Sequence, residues 1–200
     1  MALLVFLNEI EDLEKLNKEY LPGALETLKG KADVLSADAD CKCIEGKSPY
    51  PRCVILKFES EEAAKAWYDS KEYSDEVRAK RLNNTKKGFC ICVKAMDLKI
   101  KPGAFLVFHN NIKDIEKLNK EYFPKAVETI GSYAIEAAAL ADKACVIEGN
   151  APFGRIVVLA GKDAAELEKW YTSEAYGKNT LPMRLDNQEE GGFAVIAKAL

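Results

Sequence analysis

Short apolar runs of strand length alternate along the chain with stretches in which apolar residues recur at helical spacing. "LLVFL" (residues 3–7) is the first such run, and "EDLEKLNKEYL" after it carries Leu13, Leu16, Tyr20 and Leu21 on one helical face. Pro22 falls inside that pattern and predicts a kink, or the first turn of a second short helix. "ADVLSADADCKCIEG" reads as one longer, partly alternating strand, "KSPYP" as a turn, and "RCVILKF" as a strand buried on both faces. Ser60 and the acidic residues after it open a helix through "AAKAWYDS", and "GFCICVKA" closes the unit as another buried strand.

The whole order then returns. "LEKLNKEYLPGALETL" from residue 13 matches "IEKLNKEYFPKAVETI" from residue 115, and the agreement continues through "CIEG" and "VIEG", "PYPRCVILKF" and "PFGRIVVLAG", "AKAWYDSKEY" and "LEKWYTSEAY", Arg81 and Arg184, and "GFCICVKAM" and "GFAVIAKAL". The chain is a tandem duplication, with repeat 1 over residues 1–97, a linker at 98–103 ending in Pro-Gly, and repeat 2 over 104–200. Each unit reads βαββαβ, the order of a ferredoxin-like α+β fold with four antiparallel strands and both helices on one face. The strands are apolar on both faces, so the second face is also buried. Two units on one chain bury it against each other as a pseudo-dimer, and residues 1–100 alone are expected to dimerise or aggregate.

Composition narrows the function. The apolar fraction of 48%, the charged fraction of 30% and the net charge of -3 are ordinary, and with no basic stripe a nucleic-acid partner is not expected. "MALLVFL" is too short for a signal-peptide core and runs into acidic residues, so the reading is a cytoplasmic protein with no membrane partner. The six cysteines lie in apolar stretches and read as reduced core thiols. Cys41/Cys43 and Cys90/Cys92 lack common zinc spacing, and no metal site is expected. A closed barrel would bring Cys145 near Cys90 and Cys92.

The stretch from "IEG" through "RCVILKFESEEAAKAWYDSKEY" to Arg81 resembles the family called domain of unknown function 1330, of the dimeric α/β-barrel superfamily. The resemblance covers both repeats and implies an intramolecular dimeric α/β-barrel. Its hallmark words stand as Glu45-Gly46 and Glu148-Gly149, as Trp67, Tyr68, Ser70 and Tyr73 with Trp170, Tyr171, Ser173 and Tyr176, and as Arg81 and Arg184. The usual phenylalanine and serine before the second helix stand as Phe58 and Ser60, with Ala160 and Lys162 set against them in repeat 2, which is therefore expected to have drifted there. The superfamily includes cofactor-free monooxygenases, isomerases, dehydratases, haem-degrading enzymes and ligand binders. Its haem-degrading members place a ligating His about ten residues after the Trp. Val77 and Thr180 stand there instead, which argues against haem and for no cofactor.

Among single residues, Trp67 and Trp170 either stack on a flat ligand or serve as core. Tyr68, Tyr73, Tyr171 and Tyr176 bring hydroxyls that want partners when buried. Arg81 and Arg184 either tie down the fold or receive a carboxylate or enolate through the planar guanidinium fork. Asn8 and Asn110 match each other at the end of the first strand of each repeat. His109, whose repeat-1 counterpart is Leu7, and Glu148 are the proton-transfer candidates. No phosphate loop, nucleophile elbow or HExxH word is present. The leading expectation is a small-molecule binder with one pocket per half between sheet and helices, its ligand planar or carboxylated. A cofactor-independent isomerase, lyase or monooxygenase is the alternative, and a structural protein without ligand is the third reading. Further oligomerisation stays open.

Overall fold

The computed structural model describes all residues, Met1–Leu200. The first half runs β1 (Ala2–Ile10), α1 (Leu13–Lys15), a π-helical segment (Leu16–Tyr20), α2 (Leu21–Leu28), β2 (Ala32–Asp38), β3 (Lys42–Glu45), β4 (Arg52–Phe58), α3 (Glu61–Asp69), α4 (Lys71–Ser74), α5 (Val77–Leu82) and β5 (Thr85–Lys94). The second half repeats it as β6 (Ala104–Asn110), α6 (Ile115–Lys117), a π-helical segment (Leu118–Tyr122), α7 (Phe123–Ile130), β7 (Ile135–Ala141), β8 (Cys145–Gly149), β9 (Arg155–Gly161), α8 (Ala164–Tyr171), a π-helical segment (Glu174–Lys178), α9 (Leu181–Asp186) and β10 (Phe193–Lys198). Pro22 and Pro124 lie inside continuous helical runs, directly after the π-helical segments Leu16–Tyr20 and Leu118–Tyr122, whose widened turns accommodate a residue with no N–H to donate.

The strands form two five-stranded antiparallel sheets, β2-β4-β1-β5-β8 and β3-β10-β6-β9-β7. Four strands of each sheet come from one half and the fifth from the other, which corrects the expected four. The long second strand of each unit breaks in two. Asp38 Oδ1 accepts from the Asp40 amide at 3.1 Å, a local turn that ends β2 and frees β3 to cross to the opposite sheet. There Cys145 of β8 lies directly opposite Cys92 of β5, as the closed barrel required. Isolated bridges from Ser36 to Ala199 and from Ala95 to Ala139 join the sheets at their remaining corners.

Alternation along each strand sorts the core into layers. Leu3, Val5 and Leu7 enter the cluster between the sheets, while Ala2, Leu4 and Phe6 meet the helices of the first half. A third cluster under α7 and α8 mirrors the second.

Strand pairing also corrects the start of α8. Ala2 pairs with Phe58 and Ala104 with Gly161, so Gly161 is the counterpart of Phe58, and Asp163 that of Ser60. Both caps work, Ser60 accepting from the Ala63 amide and Asp163 from the Glu166 amide. The bulk also changes sides, since Phe58 on the strand with Ala64 on the helix becomes Gly161 with Leu167, whose side chain fills the space a Cβ on Gly161 would need. No helix is long and apolar enough to cross a membrane.

Candidate functional site

The repeated words of one half meet those of the other. Glu45, at the end of β3, lies against β10 and receives Arg184 in a two-pronged ion pair, Nη1 donating to Oε1 at 3.0 Å and Nη2 to Oε2. Tyr171 donates its hydroxyl to the same carboxylate at 2.7 Å. Glu148 of β8 is bound in the same way by Arg81, with Nη1 to Oε1 at 2.8 Å, and by the Tyr68 hydroxyl. Gly46 and Gly149 follow these glutamates with φ of +64° and +69°, and each lies so close to the facing strand that a Cβ would collide with its backbone.

Burial alone would raise both carboxyls. The guanidinium forks and tyrosine hydroxyls outweigh it and hold Glu45 and Glu148 below the usual carboxylate range. Both stand as ion-paired anions. Burial, reinforced by the neighbouring carboxylates, pushes Tyr68 and Tyr171 upward, so both hydroxyls stay protonated.

The aromatic set is the layer behind these ion pairs. Ser70 and Ser173 cap the next turn by accepting from the amides of Tyr73 and Tyr176. This places Tyr73 against Trp67 and Tyr176 against Trp170, stacked with centroids 4.1 and 3.9 Å apart. The indole N–H groups donate to Thr27 at 3.1 Å and to Thr129 at 3.0 Å, and the Tyr73 and Tyr176 hydroxyls bond to Tyr20 and Tyr122 at 3.2 and 2.9 Å. In the first half the set is satisfied core.

The halves differ beside it. In the second, a cavity of ≈ 200 Å³ opens between α7 and the β7–β9 edge of the sheet, with Trp170, Phe108 and Tyr122 among its walls and Arg155 and Arg184 as its only charged lining. Met96, Phe123 and Val127 are exposed at this cavity. The matching space in the first half measures ≈ 40 Å³. Leu25 and Val34 there become the shorter Val127 and Ala137 in the second half, although Leu140 for Ala37 goes the other way.

His109 stands apart from the cavity. Alternation from Phe108 turns it into the layer between the sheets, where it is wholly buried and stacks on Phe89 at 4.8 Å. Its Nδ1 donates to the Arg155 carbonyl at 3.0 Å and Nε2 accepts from the Phe153 amide at 3.3 Å, a network that assigns the neutral tautomer. Burial pushes its pKa down to about 4, against the smaller upward pull of the Arg155 carbonyl. The unfolded chain therefore binds this proton first as the pH falls. Stability contributed by neutral His109 is complete above the unfolded value near 6.5 and is lost as the pH drops toward 4. That loss is on the order of 3 kcal/mol. His109→Leu, the residue of the first half, is expected to flatten urea-unfolding stability across this window, and an unchanged pH slope would contradict the assignment.

Among the other expected residues, Asn8 and Asn110 support Arg52 and Arg155, accepting at 3.5 and 3.2 Å. These two arginines, at the first positions of β4 and β9, were missed. Their matched places before two buried strands were the available signal. The cysteines divide, with Cys53, Cys90 and Cys92 buried, Cys41 half-buried, and Cys43 and Cys145 exposed, which corrects the reading of all six as core.

Two ferredoxin-like halves exchanging a strand, with ion pairs across the join, make this a dimeric α/β-barrel carried on one chain. DUF1330, a domain of unknown function, matches residues 1–95 and again residues 103–195. The chain belongs to that family, in two tandem copies. A solved structure similar to it is a single-residue variant of chlorite dismutase from Candidatus Nitrospira defluvii, with 6% identity over 98% of this chain and 91% of that one and a TM-score of 0.58. An anthrone oxidase-like protein aligns with 11% identity over 100% and 91% of the two chains at a TM-score of 0.55. A heme-binding protein from Thermus thermophilus aligns with 11% identity over 100% and 90% at 0.52. At these identities the likeness is one of fold. No curated protein matches the sequence.

Proposed function

We propose that the protein binds one small, largely apolar organic molecule, planar or carrying a single carboxylate or carbonyl, in the cavity of its second half. The observation that carries this is the ≈ 200 Å³ apolar cavity with two arginines as its only charged lining, the usual form of a pocket in which few polar groups set orientation. Arg155 Nη2 makes no hydrogen bond within the protein, so a donor is available. Two of the similar structures are named for heme binding and for likeness to anthrone oxidase, flat molecules that agree with this reading in shape.

Haem itself does not fit these residues. The lining has no histidine or cysteine, and Thr180, at the place where the resemblance puts a haem-ligating His, donates its hydroxyl to the Ala175 carbonyl at 2.8 Å. Both ring nitrogens of His109 are engaged between the sheets. A cofactor-independent enzyme is the second reading, favoured by the anthrone oxidase-like neighbour. Against it, no carboxylate or imidazole lines the cavity.

Native mass spectrometry of the purified chain, followed by titration with 2-naphthol and 2-naphthoate, tests the proposal. One equivalent is expected to bind, and Ala137→Leu, which extends a side chain into the cavity, is expected to weaken it by about tenfold or more. Two equal sites per chain, or unchanged affinity in Ala137→Leu, would defeat the reading. Consumption of the naphthol in air without added cofactor would transfer the protein to the second one.

A further inference from the structure

The two joins between the halves carry matched Glu–Arg pairs, yet the strand pairing beside them differs. At the second join β10 meets β3 with Ile196 opposite Lys42, and Lys42 donates to Glu168 of α8 at 2.6 Å. At the first join β5 meets β8 with Cys92 opposite Cys145. Cys145 stands in the place of Lys42, and Lys65 of α3 in that of Glu168, so the ion pair from strand to helix is not reproduced. Two thiols face each other there instead.

Opposed residues of an antiparallel pair stand about 4.5–5.5 Å apart at Cα and leave the sheet on the same side. A disulfide spans about 4.4–6.8 Å between Cα atoms, so register alone gives this pair the separation and the direction it needs. Cys92 is buried against the helices of the first half, while Cys145 is exposed at the first position of β8, an edge strand with β5 on one side only. That edge position lets Cys145 draw toward its neighbour without moving a second strand. Burial, then the Glu61 carboxylate and Cys145 itself, push the Cys92 thiol up to about 11, with Lys65 pulling the other way. Cys145 is therefore the member that meets a reagent from solvent. Cys90, two residues earlier on the same face, is wholly buried and opposed by Glu148, so it has no thiol partner across the strand.

We propose that Cys92 and Cys145 form a reversible modification site, closing by exchange with a low-molecular-weight disulfide such as oxidised glutathione into a bond that joins the two halves across the β5–β8 seam. The Cys145 thiolate attacks one sulfur of the glutathione disulfide, forming a mixed disulfide and expelling the first glutathione thiolate. Cys92 sulfur then attacks Cys145 Sγ, the second glutathione leaves, and the Cys92 proton passes to the departing thiolate. Two protein thiols are oxidised by two electrons, and one small disulfide is reduced to two thiols. The bond fastens the strand that carries Glu148 to Arg81, where the other join has the Lys42–Glu168 ion pair.

The test uses the full chain with Cys43→Ser, which removes the other exposed thiol, incubated folded with oxidised glutathione and read by intact mass, peptide mapping and thermal unfolding. The chain is expected to lose two hydrogen atoms, to keep no glutathione and to yield one linked peptide pair containing Cys92 and Cys145. Its Tm is expected to rise by roughly 5–10 °C, because the bond closes a long loop in the unfolded chain, and dithiothreitol is expected to reverse the rise. Cys92→Ala in the same background is expected to stop at one glutathione on Cys145 with no such rise. Cys145→Ser, a change at an exposed position, is expected to form no bridge. A glutathione adduct that persists on Cys145 while Cys92 is present, a bridge between Cys41 and Cys53 in its place, or a chain left unmodified would overturn the proposal.

Discussion

Glu45→Ala is expected to destabilise the protein by about 3–5 kcal/mol in urea unfolding, the scale for removing one partner of a buried ion pair. The reason is what remains. Arg184 has 2% side-chain exposure and spends both terminal nitrogens on Glu45, so the variant buries a cation with no counter-charge and leaves the Tyr171 hydroxyl without its acceptor. Glu148→Ala is expected to cost less, because that carboxylate keeps 14% exposure and water can partly replace it. The double variant Arg81→Met with Glu148→Leu should recover most of the loss, since removing both charges removes the desolvation penalty. Both carboxyls are held below their ordinary range in the folded state, so the pairs' contribution is present above the unfolded carboxylate pKa and fades as the pH falls through the folded values. A cost below about 1 kcal/mol for Glu45→Ala would show that the pair is solvent-screened and does not join the halves.

The second large effect concerns the halves apart. Residues 1–100 alone are expected to form a dimer or to aggregate at micromolar concentration. Leu3, Val5, Leu7, Cys53, Ile55, Phe89, Ile91 and Val93 face the other sheet in the intact chain and would face water in a monomer. The β5 edge would lose β8, and Arg81 would lose Glu148. A second copy can repair each fault, because β3 carries a Glu45 equivalent in sequence to Glu148 and can pair with the partner's β5. Size-exclusion chromatography with light scattering reads the outcome. A stable, monodisperse monomer would mean that the inter-sheet layer is not needed for folding, contrary to the pseudo-dimer architecture.

Much of this architecture is legible in the sequence. Two-sided apolarity in "LLVFL" and "RCVILKF" announced a sheet buried on both faces, and the repeated words announced two copies able to bury each other. The same periodicity could have placed His109. It follows Phe108, which faces the helices, and its counterpart is Leu7, so alternation alone sends it between the sheets. Its chemistry drew attention toward a pocket that its position denies it.

The partners of Glu45 and Glu148 were not legible. Nothing in "CIEG" says that the strand leaves its own sheet, and the Arg that receives the glutamate lies 139 residues away. Cavity size was equally hidden, since it depends on small differences such as Val34 against Ala137 summed across a helix–sheet seam. The sequence by itself determined the duplication, the order of elements and the layers each strand serves, because these follow from local periodicity and repetition. Tertiary structure alone decided which charges meet, which donors lack acceptors and which half keeps an open pocket. Those depend on strand exchange between halves and on the close packing of side chains far apart in the chain.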